Sequence, residues 1–535
     1  MLDDARAVLA AAEALTAAAL TRTTELTARG ERIDDHQVVV ERVAYAATEV
    51  RAARSLVAAV AAAPGAAPAF VDPALAAVAE LARGARDRLD PIAVELGIDA
   101  AYDTATRAAL HRLGNEAVIR AIGREVAAAR GRNPWPLEPT LAEVRSSVRA
   151  FADKEVAPHA EHIHRHDELV PDRFIAAMAE LGYFGLSIPE AYGGHELGNL
   201  AMILTTEELS RASLASAGSL ITRPEILAKA LLAGGTEAQK RTWLPRIGGG
   251  ELMVAISVTE PNVGSDVAAV ACRAQPATRD GQDGYVLDGA KAWCTFAGRA
   301  DVIAVLARTD ADPTKGARGL SLFIVEKPRF DGHDFAATQP GGGRLSGKAD
   351  RTPGYRGMHS FTLAFEDWFV PAANLVGEAG GLGKGFYLQM AGFAAGRLQT
   401  GGRACGVAQA ALERTAEYVA SRGQFGKPII EFGLTQHHLG RMACRLAAAR
   451  AITYEAAVAM DGDERAAAPL AAQAKLFACD VAVEVTQTGQ LLHGGWGYAE
   501  EYPISRYVVD ALVLPIFEGV KPILVLKVIA RALLA

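Results

Sequence analysis

The sequence lacks the features that mark metal-cluster, disulfide-rich, nucleic-acid-binding or membrane-spanning proteins. Its five cysteines are scattered and form no CxxC pair, which argues against zinc sites, iron–sulfur sites and a disulfide framework. The formal net charge is −7 and no run of Lys and Arg stands out, so a nucleic-acid partner is not expected. No apolar run reaches the ~20 residues of a membrane span, and the N-terminus lacks the basic region of a secretory signal. We therefore expect a cytoplasmic protein.

What the sequence does contain is the composition and patterning of a large globular protein. Its 535 residues are 50% hydrophobic and 22% charged. Apolar residues recur at helical spacing through residues 1–135 and again through 136–250. Residues 251–370 instead show short alternating runs, at 285–287, 302–307, 320–325 and 361–365, separated by Gly, Asp and Pro, which is the pattern of β-strands. Residues 371–535 return to long helices, predicted over 385–421, 435–460 and 466–493 and from about 521. The pattern predicts an α+β, mainly α protein with a β domain between helical domains.

Some individual elements can also be placed. Residues 1–135 contain four predicted helices, with Pro64, Pro68 and Pro73 between the second and the third. The predicted helices are Asp3–Leu26, Asp34–Ala63, Pro73–Leu89 and Tyr102–Ala129. The Gly- and Arg-rich segment 339–355 is interpreted as an exposed loop, with a cover over a bound ligand as the alternative.

Near the end of the chain, Glu518 is a lone acid in the apolar segment 514–519 (LPIFEG). Burial disfavours the charged form of a carboxylate, and this suits a general base that works near neutral pH. A structural carboxylate with a partner would produce the same pattern. The sequence of this segment alone leaves both interpretations open.

Two segments of the predicted β domain suit a flat ring with polar edges. Residues 257–266 (SVTEPNVGSD) lead from a strand into a loop of hydroxyls and exposed backbone amides. In residues 291–298 (KAWCTFAG), Trp293 and Thr295 are two apart and would share one face of a strand. An ordinary turn and a core tryptophan are the structural alternatives, and Cys294 is interpreted as a small buried residue.

The order of these and later motifs resembles the acyl-CoA dehydrogenase family. The further motifs are IPEAYGG (188–194), SRGQFGKP (421–428) followed by Gln436, LHGGWGY (492–498) and IFEG (516–519). The resemblance covers about residues 137–535. It implies a helical domain, a middle β domain and a C-terminal four-helix bundle, here with an additional N-terminal helical extension over residues 1–135.

The resemblance implies α,β-dehydrogenation of an acyl-CoA thioester, with FAD as the hydride acceptor. Glu518 matches the base that removes the α-proton, and the next residue, Gly519, is expected to contact the substrate. Electron-transferring flavoprotein is the expected electron acceptor, and the chain is expected to form a homo-oligomer, a dimer or a tetramer. The positions that match cofactor contacts are Val258, Thr259, Ser265, Trp293 and Thr295, with Gly494 and Gly495 at the turn near the pyrophosphate. Arg422, Phe425 and Gln436 match the positions that reach the FAD of a neighbouring subunit. Val520 and Leu491 depart from the family pattern, so two further FAD contacts are in doubt.

Within the family, the long extension, residues 221–227 (ITRPEIL) and the segment IFEGVKP most resemble members that convert methylsuccinyl-CoA to mesaconyl-CoA. That substrate has a free carboxylate, which calls for a buried cation, above all arginine. Arg223 is the first candidate, with a salt bridge to Glu225 or Glu207 as the structural alternative. Arg397, placed before a long helix, is the second candidate. Ser265 is expected where cofactor and substrate meet.

Other functions stay open on the sequence alone. The substrate could be another short or branched acyl-CoA, or the enzyme could be an acyl-CoA oxidase that uses oxygen. A non-enzymatic helical scaffold is a further alternative, suggested by the extension. The segment 377–385 (GEAGGLGKG) superficially resembles a phosphate-binding loop, but it lacks the required spacing and the Ser or Thr after the lysine.

Overall fold

The computed structural model describes all of residues 1–535, which fold as two compact units. One unit comprises Met1–Ser146 and Thr400–Ala535, and the other comprises Ser147–Gln399. The helices are α1 (Leu2–Leu26), α2 (Gln37–Ala62), α3 (Pro68–Leu89), α4 (Ala93–Leu96), α5 (Thr104–Gly114), α6 (Glu116–Ala128), α7 (Pro139–Phe151), α8 (Ala157–Arg165), α9 (Asp172–Glu180), α10 (Gly198–Ala212), α11 (Thr222–Gly234), α12 (Glu237–Gly248), α13 (Gly385–Ser421), α14 (Gly433–Gly462), α15 (Glu464–His493), α16 (Ile504–Ala511), α17 (Lys521–Ile523) and α18 (Ala530–Leu534). The strands are β1 (Val254–Ser257), β2 (Arg273–Arg279), β3 (Gln282–Thr295), β4 (Val302–Arg308), β5 (Leu320–Glu326), β6 (Asp334–Thr338), β7 (Arg344–Ala349), β8 (Ser360–Pro371), β9 (Gly423–Gln424) and β10 (Lys427–Pro428).

In the first unit, the N-terminal extension packs directly on the C-terminal helices. A Cβ atom added to Gly123 of α6 would lie 1.9 Å from the carbonyl oxygen of Gln436 in α14. A Cβ atom added to Gly440 of α14 would lie 2.1 Å from the carbonyl oxygen of Ile119 in α6. Each glycine therefore allows the facing backbone to approach where a side chain would hold it away.

An apolar cluster joins the same two parts of the first unit. Its members from the extension are Ile33, Val40, Ala44 and Tyr45, and its members from the C-terminal part include Ala472, Leu476 and residues of the segment 524–534. Full burial of one such aliphatic side chain contributes about 1.5–3 kcal/mol. The extension is thus part of the hydrophobic core of this unit.

The second unit contains an eight-stranded mixed sheet. The strand order is β1-β4-β2-β3-β8-β7-β6, with β5 paired to β4. β1 runs parallel to β4, and the long strands β3 and β8 are antiparallel. Their register shifts between Lys291 and Cys294, and Trp293 within this irregularity has a φ of +58°. The strands predicted over residues 285–287, 302–307, 320–325 and 361–365 are all present.

Two predictions about local structure are wrong. The segment 339–355 is not simply an exposed loop, because it contains β7, which pairs with both β6 and β8. The helix predicted over 102–129 is divided at Asn115, whose side-chain oxygen accepts a hydrogen bond from the backbone N–H of Val118 and caps α6. An N-cap of this kind begins a new helix.

Two further positions differ from the sequence-based expectation. The third helix begins at Pro68 rather than Pro73, because proline is favoured in the first turn, where no N–H is needed. Arg397 lies within α13 rather than before it.

One helix has the length and apolar composition of a membrane span, contrary to the expectation that no such run exists. It covers Glu464–Gly497, and 72% of its most apolar window is buried inside the protein. This burial is what a core helix shows.

Candidate functional site

Glu518 lies in the turn between α16 and α17, in a left-handed backbone conformation. Its φ is +55°, and that of Gly519 is +106°. Residues other than glycine rarely adopt such angles, so the turn needs support from outside. The Nζ atom of Lys475 in α15 donates hydrogen bonds to the carbonyl oxygens of Phe517 at 2.6 Å and Gly519 at 2.5 Å. Because Lys475 is 1% exposed, this clamp is shielded from water and holds Glu518 from both sides.

The carboxylate of Glu518 is bound by two side chains of α13. It accepts hydrogen bonds from Arg403 Nη2 at 2.8 Å and from Thr400 Oγ1 at 2.6 Å. The side chain of Glu518 is 8% exposed and that of Arg403 is 0% exposed. Glu518 is therefore a carboxylate with partners, which the sequence left open as the alternative to a lone acid among apolar residues, and Ile516 beside it is 60% exposed. An adjacent cation favours the ionised form of a carboxylate.

In the second unit, Trp293 and Thr295 occupy different environments. The indole is 59% exposed, and the bulge at Trp293 redirects its side chain. Thr295 is 8% exposed, and its hydroxyl forms a 2.9 Å hydrogen bond with that of Ser360 on β8. The regular alternation assumed from their spacing is therefore interrupted, while an aromatic surface is left open to a ligand.

A buried ion pair ties the two motifs of the β domain together. Lys291 Nζ lies 3.0 Å from Glu260 Oε1 and also donates to the carbonyl oxygen of Val258 at 3.0 Å. A second link between the same two segments is the 2.8 Å hydrogen bond from the N–H of Ala292 to the carbonyl oxygen of Thr259. The segment around Val258 and Thr259 is thus fixed beside the strand that carries Trp293. Sequence reasoning missed this pair, although a lysine within one predicted strand and an acid just after another were a usable signal.

The remaining predicted residue of this segment, Ser265, is exposed in the loop that follows. Cys294 is fully buried, and burial raises the pKa of its thiol to about 12. The thiol therefore stays protonated at neutral pH and does not act as a nucleophile. This agrees with the interpretation of Cys294 as a small buried residue.

In the first unit, Arg422, Gly494 and Gly495 line one open groove beside α15, together with Tyr418 and Trp496. Gly494 has a φ of +61°, and a Cβ atom added to either glycine would meet no protein atom within 4 Å. The backbone is therefore open to close approach by a ligand. Phe425 lies at the tip of the neighbouring β9–β10 hairpin and is 93% exposed.

Gln436 is not open to a ligand on this chain. It is 6% exposed, and its Oε1 atom accepts hydrogen bonds from Arg120 Nε at 3.2 Å and Arg124 Nη1 at 3.1 Å. Both arginines belong to α6 of the N-terminal extension. Within this chain, the side-chain amide therefore serves the contact between α6 and α14.

Arg223, a predicted substrate residue, is buried in the second unit. Its Nη1 atom donates to the carbonyl oxygen of Ser219 at 3.1 Å and to the hydroxyl of Tyr355 at 2.9 Å. Arg397, the second candidate, is half-buried within α13. Arg403, which sequence reasoning did not single out, is the arginine that contacts Glu518.

Three domain models match in order: the acyl-CoA dehydrogenase N-terminal domain over residues 138–251, the middle domain over 255–368 and the C-terminal domain over 383–534. The chain belongs to the acyl-CoA dehydrogenase family. It is an oxidoreductase of CoA thioesters with FAD as its cofactor, and the predicted family, fold class and cofactor are confirmed.

Individual relatives of this acyl-CoA dehydrogenase match most of the chain. It is 43% identical to (2S)-methylsuccinyl-CoA dehydrogenase of Cereibacter sphaeroides over 399 residues, which are 74% of this chain and 70% of that protein. The structure of butyryl-CoA dehydrogenase from Megasphaera elsdenii matches with a TM-score of 0.67 and 32% identity, over 75% of this chain and 99% of that one. A chain from a structural study of the electron transferring flavoprotein of Acidaminococcus fermentans matches with the same TM-score, identity and coverage.

The described residues fit an FAD molecule. The exposed indole of Trp293 offers a flat apolar surface for a ring system. The glycine turn at Gly494 and Gly495, with the guanidinium of Arg422 in the same groove, offers open backbone and a cation of the kind that binds a pyrophosphate. Each of these two surfaces, taken by itself, has the chemistry to hold one part of such a cofactor.

Proposed function

We propose that this acyl-CoA dehydrogenase oxidises methylsuccinyl-CoA to mesaconyl-CoA, with Glu518 as the base that removes the α-proton. The substrate is supported by the 43% identity to a (2S)-methylsuccinyl-CoA dehydrogenase. The role of Glu518 is supported by one observation above all, the carboxylate on a left-handed turn that the buried Lys475 clamps on both sides. A general base needs this kind of fixed placement, since small displacements slow proton transfer strongly.

The reaction breaks C–H bonds on two neighbouring carbons. Glu518 accepts the α-proton on a carboxylate oxygen, and the electron pair of that bond forms the new carbon–carbon double bond. The hydrogen on the β-carbon leaves with its own electron pair, and FAD supplies the acceptor for this hydride when it is bound. Thr400, which donates to Glu518 at 2.6 Å, keeps the carboxylate oriented while it is ionised.

A substrate panel tests the proposal directly. The purified yellow protein is assayed with methylsuccinyl-CoA, butyryl-CoA and isobutyryl-CoA, with an artificial one-electron acceptor. We expect the highest kcat/KM for methylsuccinyl-CoA. A higher value for butyryl-CoA or isobutyryl-CoA would show that the substrate assignment is wrong.

The role of Glu518 has a separate test. Glu518→Gln keeps the size of the side chain and removes its basicity, so the variant should retain bound flavin and lose at least ~100-fold in turnover. The absorption spectrum reports the flavin, and single-turnover bleaching of that spectrum reports proton and hydride removal. Turnover above a few per cent of the wild-type value would remove Glu518 from this role.

For the electron acceptor, we propose an electron-transferring flavoprotein. The support is the structural similarity to a chain from the study of such a flavoprotein in Acidaminococcus fermentans. Reduction of a purified electron-transferring flavoprotein should then be much faster than peroxide formation in air. Rapid peroxide formation would indicate an oxidase instead.

A further inference from the structure

We propose that Asp167, His333 and His359 form a binding site for a divalent transition-metal ion, with zinc as the ion that fits best. All three residues belong to the second unit, and one ligand atom from each lies within 4.8 Å of the others. The dehydrogenation proposed above does not use these residues. The site therefore does not depend on which acyl-CoA the enzyme oxidises.

The starts of two strands bring the imidazoles together. His333 directly precedes β6 and His359 directly precedes β8. Because β7 pairs antiparallel with both strands, β6 and β8 run in the same direction and begin at the same end of the sheet. The Nε2 atoms of the two rings lie 3.1 Å apart. The carbonyl oxygen of His359 also accepts a 2.8 Å hydrogen bond from the N–H of Phe296, which fixes this histidine beside the end of β3.

The turn after α8 supplies the carboxylate. Asp167 has a φ of +55°, in the left-handed region that Asp and Asn adopt more readily than most residues. Its Oδ1 atom lies 3.0 Å from His359 Nε2, and its Oδ2 atom lies 3.7 Å from His333 Nε2. The N–H of Val170 donates to the carbonyl oxygen of Gly357 at 3.1 Å and holds this turn against the segment that leads to His359. The carboxylate thus presents one oxygen to each ring.

Hydrogen bonds alone do not satisfy all three groups. A neutral imidazole has one N–H, and an ionised carboxylate only accepts. If the proton between the rings belongs to His333, the Nε2 lone pair of His359 faces a carboxylate oxygen. If it belongs to His359, its single N–H is shared between two acceptors, and the carboxylate oxygen that faces His333 receives no proton. A divalent cation among these atoms would accept all the lone pairs at once.

The spacing of the three ligand atoms matches a tetrahedral zinc site. Zn–N and Zn–O bonds of about 2.0–2.1 Å place the ligand atoms of a tetrahedron about 3.3–3.4 Å apart. The distances here, 3.0, 3.1 and 3.7 Å, lie on both sides of that value. Two imidazoles with a carboxylate suit first-row transition metals, whereas Mg²⁺ and Ca²⁺ prefer oxygen ligands. The side chain of His333 is 50% exposed, so an ion can enter from solvent and a water can complete its coordination.

A neighbouring arginine is compatible with a bound ion. Arg356 Nε lies 3.4 Å from Asp167 Oδ1, and its Nη1 atom donates to the carbonyl oxygen of His164 at 3.1 Å. An ion bound through Oδ2 leaves Oδ1 to this guanidinium, and ligating carboxylates commonly have such an outer partner. Because the guanidinium also repels a second cation, we expect weaker binding than at a structural site built from thiolates.

Scattered cysteines argued against a zinc site, but this cluster contains no thiol. All five cysteines are buried, so they do not compete for added metal in the folded protein. The competing surface site is the pair His162 and His166 at the end of α8, whose ring centroids lie 4.1 Å apart. A test must therefore separate this pair from the proposed cluster.

The test measures zinc binding to the full-length, flavin-loaded protein without an affinity tag. After treatment with a chelator, equilibrium dialysis and metal analysis should give one Zn²⁺ per chain, also in the presence of excess Mg²⁺. X-ray absorption of the zinc-loaded protein should show two imidazole ligands at about 2.0–2.1 Å. Because zinc would bind the folded chain, excess Zn²⁺ should also raise the melting temperature.

Three variants locate the ion. Asp167→Asn keeps the left-handed turn and removes the charge, and His333→Asn removes an exposed ring. Each should raise the Kd for zinc by at least the ~10–100-fold that loss of even an outer-shell partner costs, and the rise in melting temperature should disappear. His162→Asn is the matched control and should leave the Kd unchanged.

The outcomes that would overturn the proposal are equally specific. Wild type that binds no zinc, or a zinc ion with fewer than two imidazole ligands, would exclude the site. Loss of zinc in His162→Asn with retention in His333→Asn would place the ion on α8 instead. Should Asp167→Asn fail to retain flavin, His333→Asn carries the test, and an unchanged Kd in that variant also overturns the proposal.

Discussion

The ammonium group of Lys291 lies 3.0 Å from a carboxylate oxygen of Glu260, and both side chains are shielded from water. Lys291 belongs to β3 and Glu260 to the loop after β1, so the pair joins the two segments that carry half of the expected flavin contacts. Glu260 is anchored further, because it accepts hydrogen bonds from the backbone N–H groups of Ala271 and Cys272.

Lys291→Met should be strongly destabilising, because it leaves a buried carboxylate without its cation. We expect the free energy of unfolding to fall by about 3–5 kcal/mol, measured by urea denaturation. The double variant Lys291→Met with Glu260→Gln removes both charges and should lose less than the single variant. A loss below about 1 kcal/mol in Lys291→Met would contradict the structural role of the pair.

Lys475→Met should impair turnover more than folding. Loss of the two hydrogen bonds around Glu518 lets the turn relax, and we expect kcat to fall by about 10–100-fold while the flavin spectrum is retained. Lys527→Met is the matched control, because Lys527 binds the exposed Asp34 on the surface, and its kcat should equal that of wild type. Equal kcat values for both variants would show that the clamp is dispensable.

Trp293→Ala should weaken cofactor binding without affecting the fold. Because the indole is 59% exposed, the free energy of unfolding of the apoprotein should change by no more than about 0.5 kcal/mol. FAD titration of the apoprotein should give a Kd at least about tenfold higher. The control is Trp243→Ala, since Trp243 is 5% exposed and its removal should cost about 3–5 kcal/mol. A destabilised Trp293→Ala with normal FAD affinity would identify Trp293 as a core residue.

Gly123→Ala should loosen the N-terminal extension. The added methyl group would overlap the carbonyl oxygen of Gln436, so we expect a loss of about 1–3 kcal/mol in the free energy of unfolding and faster proteolysis within residues 1–135. Gly462→Ala is the control, because nothing lies within 4 Å of the added atom. If both variants are cleaved at the wild-type rate, the close approach of α6 and α14 is not what holds the extension.

Much of the fold could be predicted from the sequence, because the signals are local. The helical periodicity located α13 and α15 almost to the residue, and alternating runs located β4 and β5. The errors have local causes as well. Asn115 was overlooked as an N-cap in a continuous helical pattern, and β7 was hidden in a segment rich in glycine. A strand that gains its hydrogen bonds from two neighbours needs little propensity of its own.

The candidate site was less predictable, because it depends on pairs that are distant in sequence. Glu518 could be named from its motif, but its partner Arg403 is 115 residues away and its clamp Lys475 lies in another helix. The position of Arg403 in the sequence does not indicate that it will contact the carboxylate of Glu518. Nor does the position of Lys475 indicate which backbone carbonyl groups it will contact. Arg223 and Arg397 were suggested by the sequence on residue type alone. In the fold, a third arginine, Arg403, contacts Glu518.

The position of Gln436 under α6 has a consequence for any shortened form of this enzyme. Residues 138–534 span the three family domains. The α6 helix of the extension lies outside them, and it shields part of α14 from solvent. A protein trimmed to those domains would expose the backbone groove at Gly440, the amide of Gln436 and the apolar residues that now meet Ile33 and Val40. We expect such a fragment to self-associate or precipitate more readily than the full chain, because the exposed face would pack against another molecule.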